Sequence, residues 1–175
     1  HDITTEITPT ERAAQFRFTF SASDSNYVII DAFDHGSFVK IIPAERKIIG
    51  YTTRYSRGKY ENFKNYFVIQ FDKDFKSSGV WNGDAYSKGT NEMQDSHAAA
   101  IIGCKTIKGE RVGAKCASSF ISDEQAALNL KREIGGDDFA QTAAKARANW
   151  NKNLGKIKVE GGTSDQVKTF YSCLY

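Results

Sequence analysis

The chain has 175 residues and a formal net charge of +3, with 40% hydrophobic and 13% aromatic residues. This length and composition indicate a globular protein with a substantial core and exclude a disordered segment. The mild, evenly scattered charge argues against nucleic acid and acidic membranes as partners. No apolar run approaches the ~20 residues needed to cross a bilayer, so the sequence predicts no membrane span.

Short strands separated by turns fill residues 2–119, about nine of them by pattern. Phe16, Phe18 and Phe20 alternate with polar residues, and the period of two predicts that the three rings share one buried face. The polar residues between them are then expected to face water. Residues 66–71 are almost continuously apolar, which indicates a strand covered on both sides. Many short strands without intervening helices predict an antiparallel β-sandwich.

Two of the predicted strands carry cysteines. Residues 98–106 and 111–118 predict a hairpin that turns at a Lys-Gly pair. Cys104 and Cys116 would then be cross-strand neighbours, and a disulfide would need their Cβ atoms within ~3.5–4.5 Å of each other. Small buried thiols are the favoured interpretation, and the sequence leaves the pairing open. The cysteine and histidine spacings match no zinc site.

The longest polar stretch, residues 82–96, predicts a loop, and long loops in compact domains are usually functional or mobile. Trp81 precedes it, and Asn82, Asp84 and Tyr86 stand at its start. An aromatic ring can stack on the C–H face of a pyranose while amide and carboxylate groups bind its hydroxyls, so these four residues form the candidate carbohydrate-binding site. The alternative, a core tryptophan beside a solvated loop, is favoured because Trp is highly buried on average.

Two other polar clusters have simpler structural interpretations. Asp31, Asp34 and His35 would suit a metal- or hydroxyl-binding corner, but a β-turn in which Asp34 caps its own backbone explains the same residue types. Residues 51–60 interleave three tyrosines with basic residues, which could stack sugars or bases. An exposed edge strand with protective charges is the favoured interpretation. The sequence contains no nucleophile elbow, phosphate-binding loop or dinucleotide fingerprint.

Helical patterns replace strand patterns in the last third of the chain. Ser122 with Gln125 predicts the start of a first helix, which a Gly-Gly pair ends. Asp137 or Asp138 would cap a second helix. Its apolar residues recur at spacings of three and four and form one stripe: Phe139, Ala143, Ala146, Trp150 and Leu154.

The final segment predicts a short strand at residues 157–159 and a third helix that begins at Thr163, with Gln166 completing a capping box. Phe170, Tyr171 and Leu174 begin the apolar face of this helix just before the sequence reaches Tyr175. Such a helix needs a partner to bury its face, so we expect the residues to come from a longer protein that continues into a helical domain. The alternative is a short helix that packs back on the sandwich.

Short motifs with a consistent order and spacing extend over nearly the whole chain. They are Ile3-Thr4-Thr5-Glu6-Ile7-Thr8, Tyr66-Phe67-Val68, Gly79-Val80-Trp81, Phe120-Ile121-Ser122, Glu124-Gln125-Ala126, Asn129-Leu130, Glu133-Ile134, Asp138-Phe139, Trp150-Asn151 and Phe170-Tyr171. In these motifs the chain resembles glycoside hydrolase family 92, the calcium-dependent exo-acting α-mannosidases.

The resemblance implies a two-domain parent enzyme: an N-terminal sandwich, part of a galactose-mutarotase-like supersandwich, and a C-terminal α/α toroid. Residues 1–119 would be the sandwich, incomplete at its N-terminus, and residues 120–175 a helical linker into a missing catalytic domain. The parent is expected to be a secreted or periplasmic bacterial enzyme that hydrolyses α-linked mannose glycans with inversion. Its catalytic carboxylates and calcium ligands are expected outside this chain, so no residue here receives a catalytic or metal-binding role.

The resemblance also implies the role of this piece. The sandwich would pack on the helical domain, help to wall the active-site pocket and be inactive alone, with mannose-containing glycans as the ligands of the whole enzyme. Two alternatives belong to other classes. One is a free-standing carbohydrate-binding module that uses Trp81 and its neighbours, and the other is an unrelated sandwich with helical dimerisation arms.

Overall fold

A computed structural model describes residues 3–55 and 62–174. The strands in these ranges are β1 (Thr4–Pro9), β2 (Ala13–Thr19), β3 (Ser23–Asp31), β4 (Ser37–Ile42), β5 (Lys47–Thr52), β6 (Asn65–Phe71), β7 (Ser77–Trp81), β8 (Tyr86–Lys88), β9 (Glu92–Asp95), β10 (Ala99–Thr106) and β11 (Arg111–Ser119). A 3-10 turn (Pro43–Glu45) joins β4 to β5. The helices follow the strands and are α1 (Asp123–Glu133), α2 (Phe139–Leu154) and α3 (Ser164–Leu174).

The strands form two antiparallel sheets that pack face to face. The large sheet has seven strands in the order β1-β2-β11-β6-β5-β4-β9, and the small sheet has four in the order β3-β10-β7-β8. The predicted fold class, a mainly β antiparallel sandwich followed by helices, is confirmed. Among the described residues no helix is long and apolar enough to cross a membrane.

The core lies between the two sheets. Val39, Ile48 and Val112 of the large sheet meet Val80 and Ile102 of the small sheet, and all five are essentially inaccessible to solvent. Burying a side chain of this size contributes about 1.5–3 kcal/mol, so this layer supplies much of the stability of the sandwich. Phe16, Phe18 and Phe20 pack against the same cluster, as the alternating pattern predicts.

Helices cover part of the outer face of the large sheet, and this changes the environment of its polar residues. Arg17, expected in water, places its guanidinium 4.3 Å from the ring centroid of Phe139 and pairs with Glu6. Gln15 is buried. Arg17 and Thr19, the residues expected to face water, are only half-exposed, because α1 and α2 lie over β1, β2, β6 and β11. The same contacts confirm that β6 is covered on both sides.

The helix starts follow the sequence signals. The Ser122 side chain accepts a hydrogen bond from the backbone N–H of Gln125, and Asp138 forms a complete capping box with Gln141. The predicted capping box at the start of α3 is also present. Capping of this kind satisfies backbone N–H groups that have no partner within the helix, so side-chain chemistry sets these boundaries.

The predicted hairpin of residues 98–106 and 111–118 is wrong. β10 belongs to the small sheet and β11 to the large one, so the turn at Lys108 carries the chain from one sheet to the other. Two consecutive strands with the same alternation of apolar and polar residues can either pair in a hairpin or lie on opposite sheets. Only the packing of the sheets distinguishes these two connections. Cys104 and Cys116 therefore lie on different sheets, and both are free thiols.

Three other local predictions also differ from the structure. Residues 82–96 are not one loop, because β8 pairs with β7, and β9 pairs with β4 at the edge of the large sheet. Residues 157–159 do not form a strand. Tyr51 is not on an edge strand, since β5 lies between β4 and β6, and residues 56–60 of that prediction lie outside the described residues.

Candidate functional site

One end of the sandwich collects the connections that carry most of the candidate site residues. The connections of residues 32–36, 82–85 and 96–98 are at this end, which we call the loop end. β11 also ends here at Ser119, three strands away from β4 in the large sheet. Backbone hydrogen bonds extend each sheet into its connecting segments at this end, from Ala32 to Ala98 (3.1 Å) beside the small sheet and from Gly36 to Ser96 (2.9 Å) beside the large sheet. The hydroxyl of buried Ser37 also accepts a bond from the backbone N–H of Ala98. These bonds hold the connecting segments on a rigid support.

Trp81 ends β7 and is not part of the core between the sheets. Its neighbour Val80 points inward and is fully buried, so Trp81 lies on the opposite, outer face of the small sheet. Its ring contacts that of His97 edge to face, with centroids 5.2 Å apart. His97 Nε2 lies 2.8 Å from a carboxylate oxygen of Asp31. The expectation that Trp81 is a core aromatic is therefore wrong, and its ring is half-buried beside polar groups.

Asn82 mainly stabilises its own turn. Its side-chain oxygen accepts hydrogen bonds from the backbone N–H groups of Asp84 (3.2 Å) and Ala85 (2.9 Å). Its amide nitrogen donates a long bond of 3.4 Å to Asp95. Hydrogen bonds from Ser96 and from Asn82 lower the pKa of Asp95, so this carboxylate stays ionised at neutral pH. Asp84 is exposed and remains accessible to a ligand.

The ring of Tyr86 is directed away from the turn that holds the predicted site residues Asn82 and Asp84. It pairs with Trp81 across the β7–β8 ladder, yet its ring lies over Gly79, in the direction away from the loops. A Cβ atom added at Gly79 would lie 2.5 Å from the Tyr86 ring. The structure therefore places Trp81 and Tyr86 side by side on the outer face of the small sheet, with the Tyr86 ring directed over Gly79 and with Asn82 and Asp84 in the turn that follows Trp81.

The turn of residues 32–36 contributes a residue that the sequence did not single out. Phe33 has a left-handed backbone (φ 63°) and an exposed ring, and the Arg54 guanidinium lies 5.0 Å from its centroid. His35 is also left-handed (φ 74°). Strained non-glycine residues of this kind cluster at binding sites. No sequence signal identifies the position of Phe33, because residue types in a turn do not fix which residue takes the strained conformation.

An aspartate side chain caps the backbone of this turn, as expected, but it is Asp31 and not Asp34. Asp31, not Asp34, accepts the backbone hydrogen bond that closes the turn, from Phe33 at 2.7 Å. Asp34 pairs with Arg54 at 3.2 Å. Within residues 3–55 and 62–174 no three His, Cys, Asp or Glu side chains form a group that could hold a metal ion.

A cleft of about 400 Å³ opens beside the loop end, on the large sheet. Its lining combines one aromatic ring, Tyr51, with polar side chains of Thr53, Lys64, Gln94 and Asp95. The Lys64 ammonium lies 4.1 Å from the centroid of the Tyr51 ring. The cleft thus offers one aromatic face next to hydrogen-bonding groups, which is the chemistry that binds sugar hydroxyls and C–H faces.

A larger cleft of about 1170 Å³ lies elsewhere, between the turn that joins α1 to α2 and the outer face of the large sheet. Cations and carboxylates alternate along it, among them Arg46, Arg111 and Lys131 with Glu45 and Asp72. Its mixed charges select no class of ligand, and its volume alone does not make it the functional site. None of the candidate carbohydrate-binding residues lines this cleft.

Comparison with known protein families gives two consecutive matches. The model described as the glycosyl hydrolase family 92 N-terminal domain matches residues 1–119, and the model of the family 92 catalytic domain matches residues 125–175. The chain belongs to glycosyl hydrolase family 92. The sandwich therefore corresponds to the family's N-terminal domain, and α1 to α3 correspond to part of its catalytic domain.

Solved family 92 structures share this architecture. The inverting mannosidase BT2199 from Bacteroides thetaiotaomicron is 38% identical with a TM-score of 0.93, and the alignment covers 99% of this chain and 24% of that one. The α-mannosidase BT3965 from the same organism is 26% identical with a TM-score of 0.85, at the same coverage. An uncharacterized secreted glycosidase from the fungus Arthroderma benhamiae is 39% identical over 69 residues, which is 37% of this chain and 9% of that protein. The chain thus spans about a quarter of its solved relatives.

The boundary between the two family 92 domains lies inside a packed region. Ala13 and Ala117 of the sandwich form a small apolar cluster with Ile134 and Leu130 of the first catalytic-domain segment. Glu133 at the end of α1 accepts hydrogen bonds from Thr10 and from the backbone of Arg12. The first helix of the catalytic domain is therefore attached to the sandwich by both apolar and polar contacts.

Proposed function

We propose that this chain is the accessory N-terminal region of an α-mannosidase, an inverting glycoside hydrolase that acts on α-linked mannose glycans. The observation that carries the proposal is the match over 99% of the chain to an inverting mannosidase at 38% identity. The role of this region is to support and shape the active site, while the catalytic groups lie in the rest of the enzyme. The chain by itself does not turn over mannosides.

The loop end is the part of the sandwich that walls the substrate pocket. Two observations support this assignment: the chain leaves the sandwich for α1 at this end, at Ser119, and Phe120 and Ile121 beside it are strongly exposed. Exposed apolar residues next to a domain boundary favour a contact with the rest of the protein. Trp81 and Phe33 then provide ring faces for sugar units, and Asp84 accepts hydrogen bonds from their hydroxyls.

The proposal includes an export step and a metal. Secretion or delivery to the periplasm fits a glycan-degrading enzyme, and the fungal relative is described as secreted. Calcium, which the family resemblance implies, would be bound by residues other than those described. Calcium takes six to eight oxygen ligands, and the described His, Cys, Asp and Glu side chains form no group of three. When bound there, calcium would orient sugar hydroxyls and stabilise charge at the reacting sugar.

A chimeric enzyme tests the proposed function directly. The matching quarter of the BT2199 mannosidase is replaced by this chain, and hydrolysis of α-linked mannobiose is measured together with the melting temperature. We expect hydrolysis by the chimera and none by the chain alone. The matched control is the same BT2199 remainder without any N-terminal region. A folded chimera that cleaves no α-mannoside, or turnover by the chain alone, would contradict the proposal.

A further inference from the structure

The outer face of the small sheet is left uncovered by the helices, which pack on the large sheet. Four residues from three of its strands form an apolar surface on this face: Tyr27, Ile29, Ile101 and Tyr86. We call this surface the tyrosine face. Tyr27, Ile29 and Tyr86 are 53%, 59% and 45% exposed, which is far more than core residues of these types. Such a contiguous exposed patch marks an interaction site.

Two glycines allow the tyrosine rings to lie against the sheet. An added Cβ at Gly79 would lie 2.5 Å from Tyr86 Cε2, and one at Gly103 would lie 3.2 Å from Tyr27 Cε1. The Tyr86 ring therefore occupies the space that a side chain at residue 79 would fill. At residue 103 the Ser77 hydroxyl occupies that space, and the Tyr27 ring lies beside it. Each ring keeps one face against the backbone and leaves much of its surface to solvent. Aromatic rings often cover glycines in sheets. Covering a glycine does not by itself explain why two tyrosine rings flank the same cleft.

A cleft of about 490 Å³ lies between these rings. Ile29 and Ile101 provide further apolar lining, and Ser77 and Lys88 contribute a hydroxyl and an ammonium group at its sides. This volume is within the range of about 300–1000 Å³ that is typical of small-ligand sites. The combination of flat aromatic surface and a few hydrogen-bonding groups is suited to the two-sided chemistry of a pyranose ring.

We propose that the tyrosine face binds a short oligosaccharide, as a second carbohydrate site distinct from the loop end. Its ligand is an α-linked chain of two or three mannose units, an assignment that rests on the proposed function. The rings of Tyr27 and Tyr86 stack on the sugars, and Ser77 and Lys88 bind hydroxyl groups. A weak site of this kind raises the local concentration of a branched glycan near the catalytic pocket of the same molecule.

The size and the surroundings of the tyrosine face favour a sugar over a protein partner. A stable protein interface uses about 20–30 residues on each side, whereas this surface has four apolar residues and two polar ones. Beyond Tyr27 the surface becomes charged, since Asp24 pairs with Lys76 and Lys105. An apolar contact with a second copy of the chain would end at these solvated ion pairs, while two or three sugar units fit within the patch.

The test is an NMR titration of the isotope-labelled chain with α-linked mannobiose and mannotriose. We expect amide shifts at Gly79, Ile101 and Gly103, and affinity at least about tenfold weaker for Tyr27→Ala and Tyr86→Ala, equivalent to a loss of about 1.4 kcal/mol. Gly79→Ala is a second kind of variant, because it keeps both tyrosines but displaces the Tyr86 ring. It should weaken binding in the same way, and well-dispersed spectra verify that each variant is folded.

Tyr171→Ala on α3 is the matched control, since it removes a tyrosine remote from the small sheet and should leave the affinity unchanged. Shifts confined to the loop end, unchanged affinity in both tyrosine variants, or no saturable binding would overturn the inference. If these occur while the chimeric enzyme still cleaves mannosides, the proposed function stands without the second site. If gluco-oligosaccharides bind the face and manno-oligosaccharides do not, the site is supported and the mannose assignment fails.

Discussion

The side-chain amide of Gln15 donates a 2.7 Å hydrogen bond to the hydroxyl of Thr142, and both side chains are buried. The same amide reaches the backbone oxygens of Asp137 (3.0 Å) and Asp138 (3.3 Å). The Gln15 side chain on strand β2 thereby donates hydrogen bonds to polar groups at the N-terminal end of α2. Since α2 matches the family's catalytic domain, this contact helps to fix how that domain leaves the sandwich.

Gln15→Leu should destabilise the chain by about 1–3 kcal/mol, because it removes the amide that is bonded to the buried Thr142 hydroxyl. The free energy of unfolding from urea denaturation measures this loss. Gln94→Leu is the matched control, as Gln94 is exposed and should change stability by less than about 0.5 kcal/mol. Equal effects of the two substitutions would show that the buried contact does not stabilise the junction.

Glu133 should make the junction sensitive to acid. Burial raises its pKa, but hydrogen bonds from Thr10 and from the backbone and side chain of Arg12 outweigh burial and hold the pKa below the ordinary 4.5. A carboxylate with a lowered folded-state pKa stabilises the fold above its ordinary pKa, and this contribution disappears as the pH falls through the lower value. Glu133→Gln should therefore be less stable than the parent chain at pH 7, by on the order of 1 kcal/mol.

Denaturation at a series of pH values checks this prediction, and the difference between the two chains should shrink below about pH 4.5. The control is Glu92→Gln. Glu92 pairs with Lys40 at 2.8 Å, but both side chains are about half exposed, so this variant should match the parent chain at every pH. A Glu133 difference that does not change with pH would show that the lost contact is not ionic.

The cysteines should differ sharply in reactivity. Burial raises the pKa of the Cys104 thiol and also that of Cys116, so both hold little of the reactive thiolate, whereas Cys173 on α3 is exposed. At pH 8 an aromatic disulfide reagent should titrate one thiol quickly and the other two only after unfolding. Cys173→Ser should abolish the fast phase. Two fast thiols in the native chain would contradict the assigned burial.

Removal of calcium should leave the chain folded. The described residues offer no group of three potential metal ligands, and calcium prefers six to eight oxygen atoms. Excess chelator should therefore change the melting temperature, followed by circular dichroism, by no more than about 1 °C. The BT2199 chimera treated in the same way separates a loss of activity from a loss of folding. A drop of several degrees in the chain alone would mean that it contains a calcium site.

The loop-end assignment can be tested in the chimera with single substitutions. Trp81→Ala should lower kcat/KM about tenfold or more, equivalent to about 1.4 kcal/mol, because its ring face is lost from the pocket wall. Tyr171→Ala is the matched control, since Tyr171 lies on α3, away from both the loop end and the tyrosine face, and should leave kcat/KM unchanged. Equal losses for both would contradict a specific role of the Trp81 ring.

The sequence predicted elements whose signals are local. The phenylalanines of β2, the Ser122 and Asp138 caps and the buried strand β6 all follow from periodicity or from a side chain that bonds its own backbone. For the candidate site, Trp81, Asn82 and Asp84 lie near one another because they are adjacent in the chain, and their role in sugar binding stays a prediction. The split of Tyr86 from this group was not predictable, since it depends on a glycine seven residues earlier that leaves room for the ring.

The sequence by itself determined that this is a β-sandwich followed by helices with the motifs of family 92, because alternation, capping and motif order are properties of neighbouring residues. Only the tertiary structure decided that β10 and β11 lie on opposite sheets, that Gln15 is buried under α2 and that the small sheet presents two tyrosines. Each of these depends on which surfaces meet after the chain folds. Residues with identical local patterns end up in different environments because packing between distant segments, not local propensity, determines their burial.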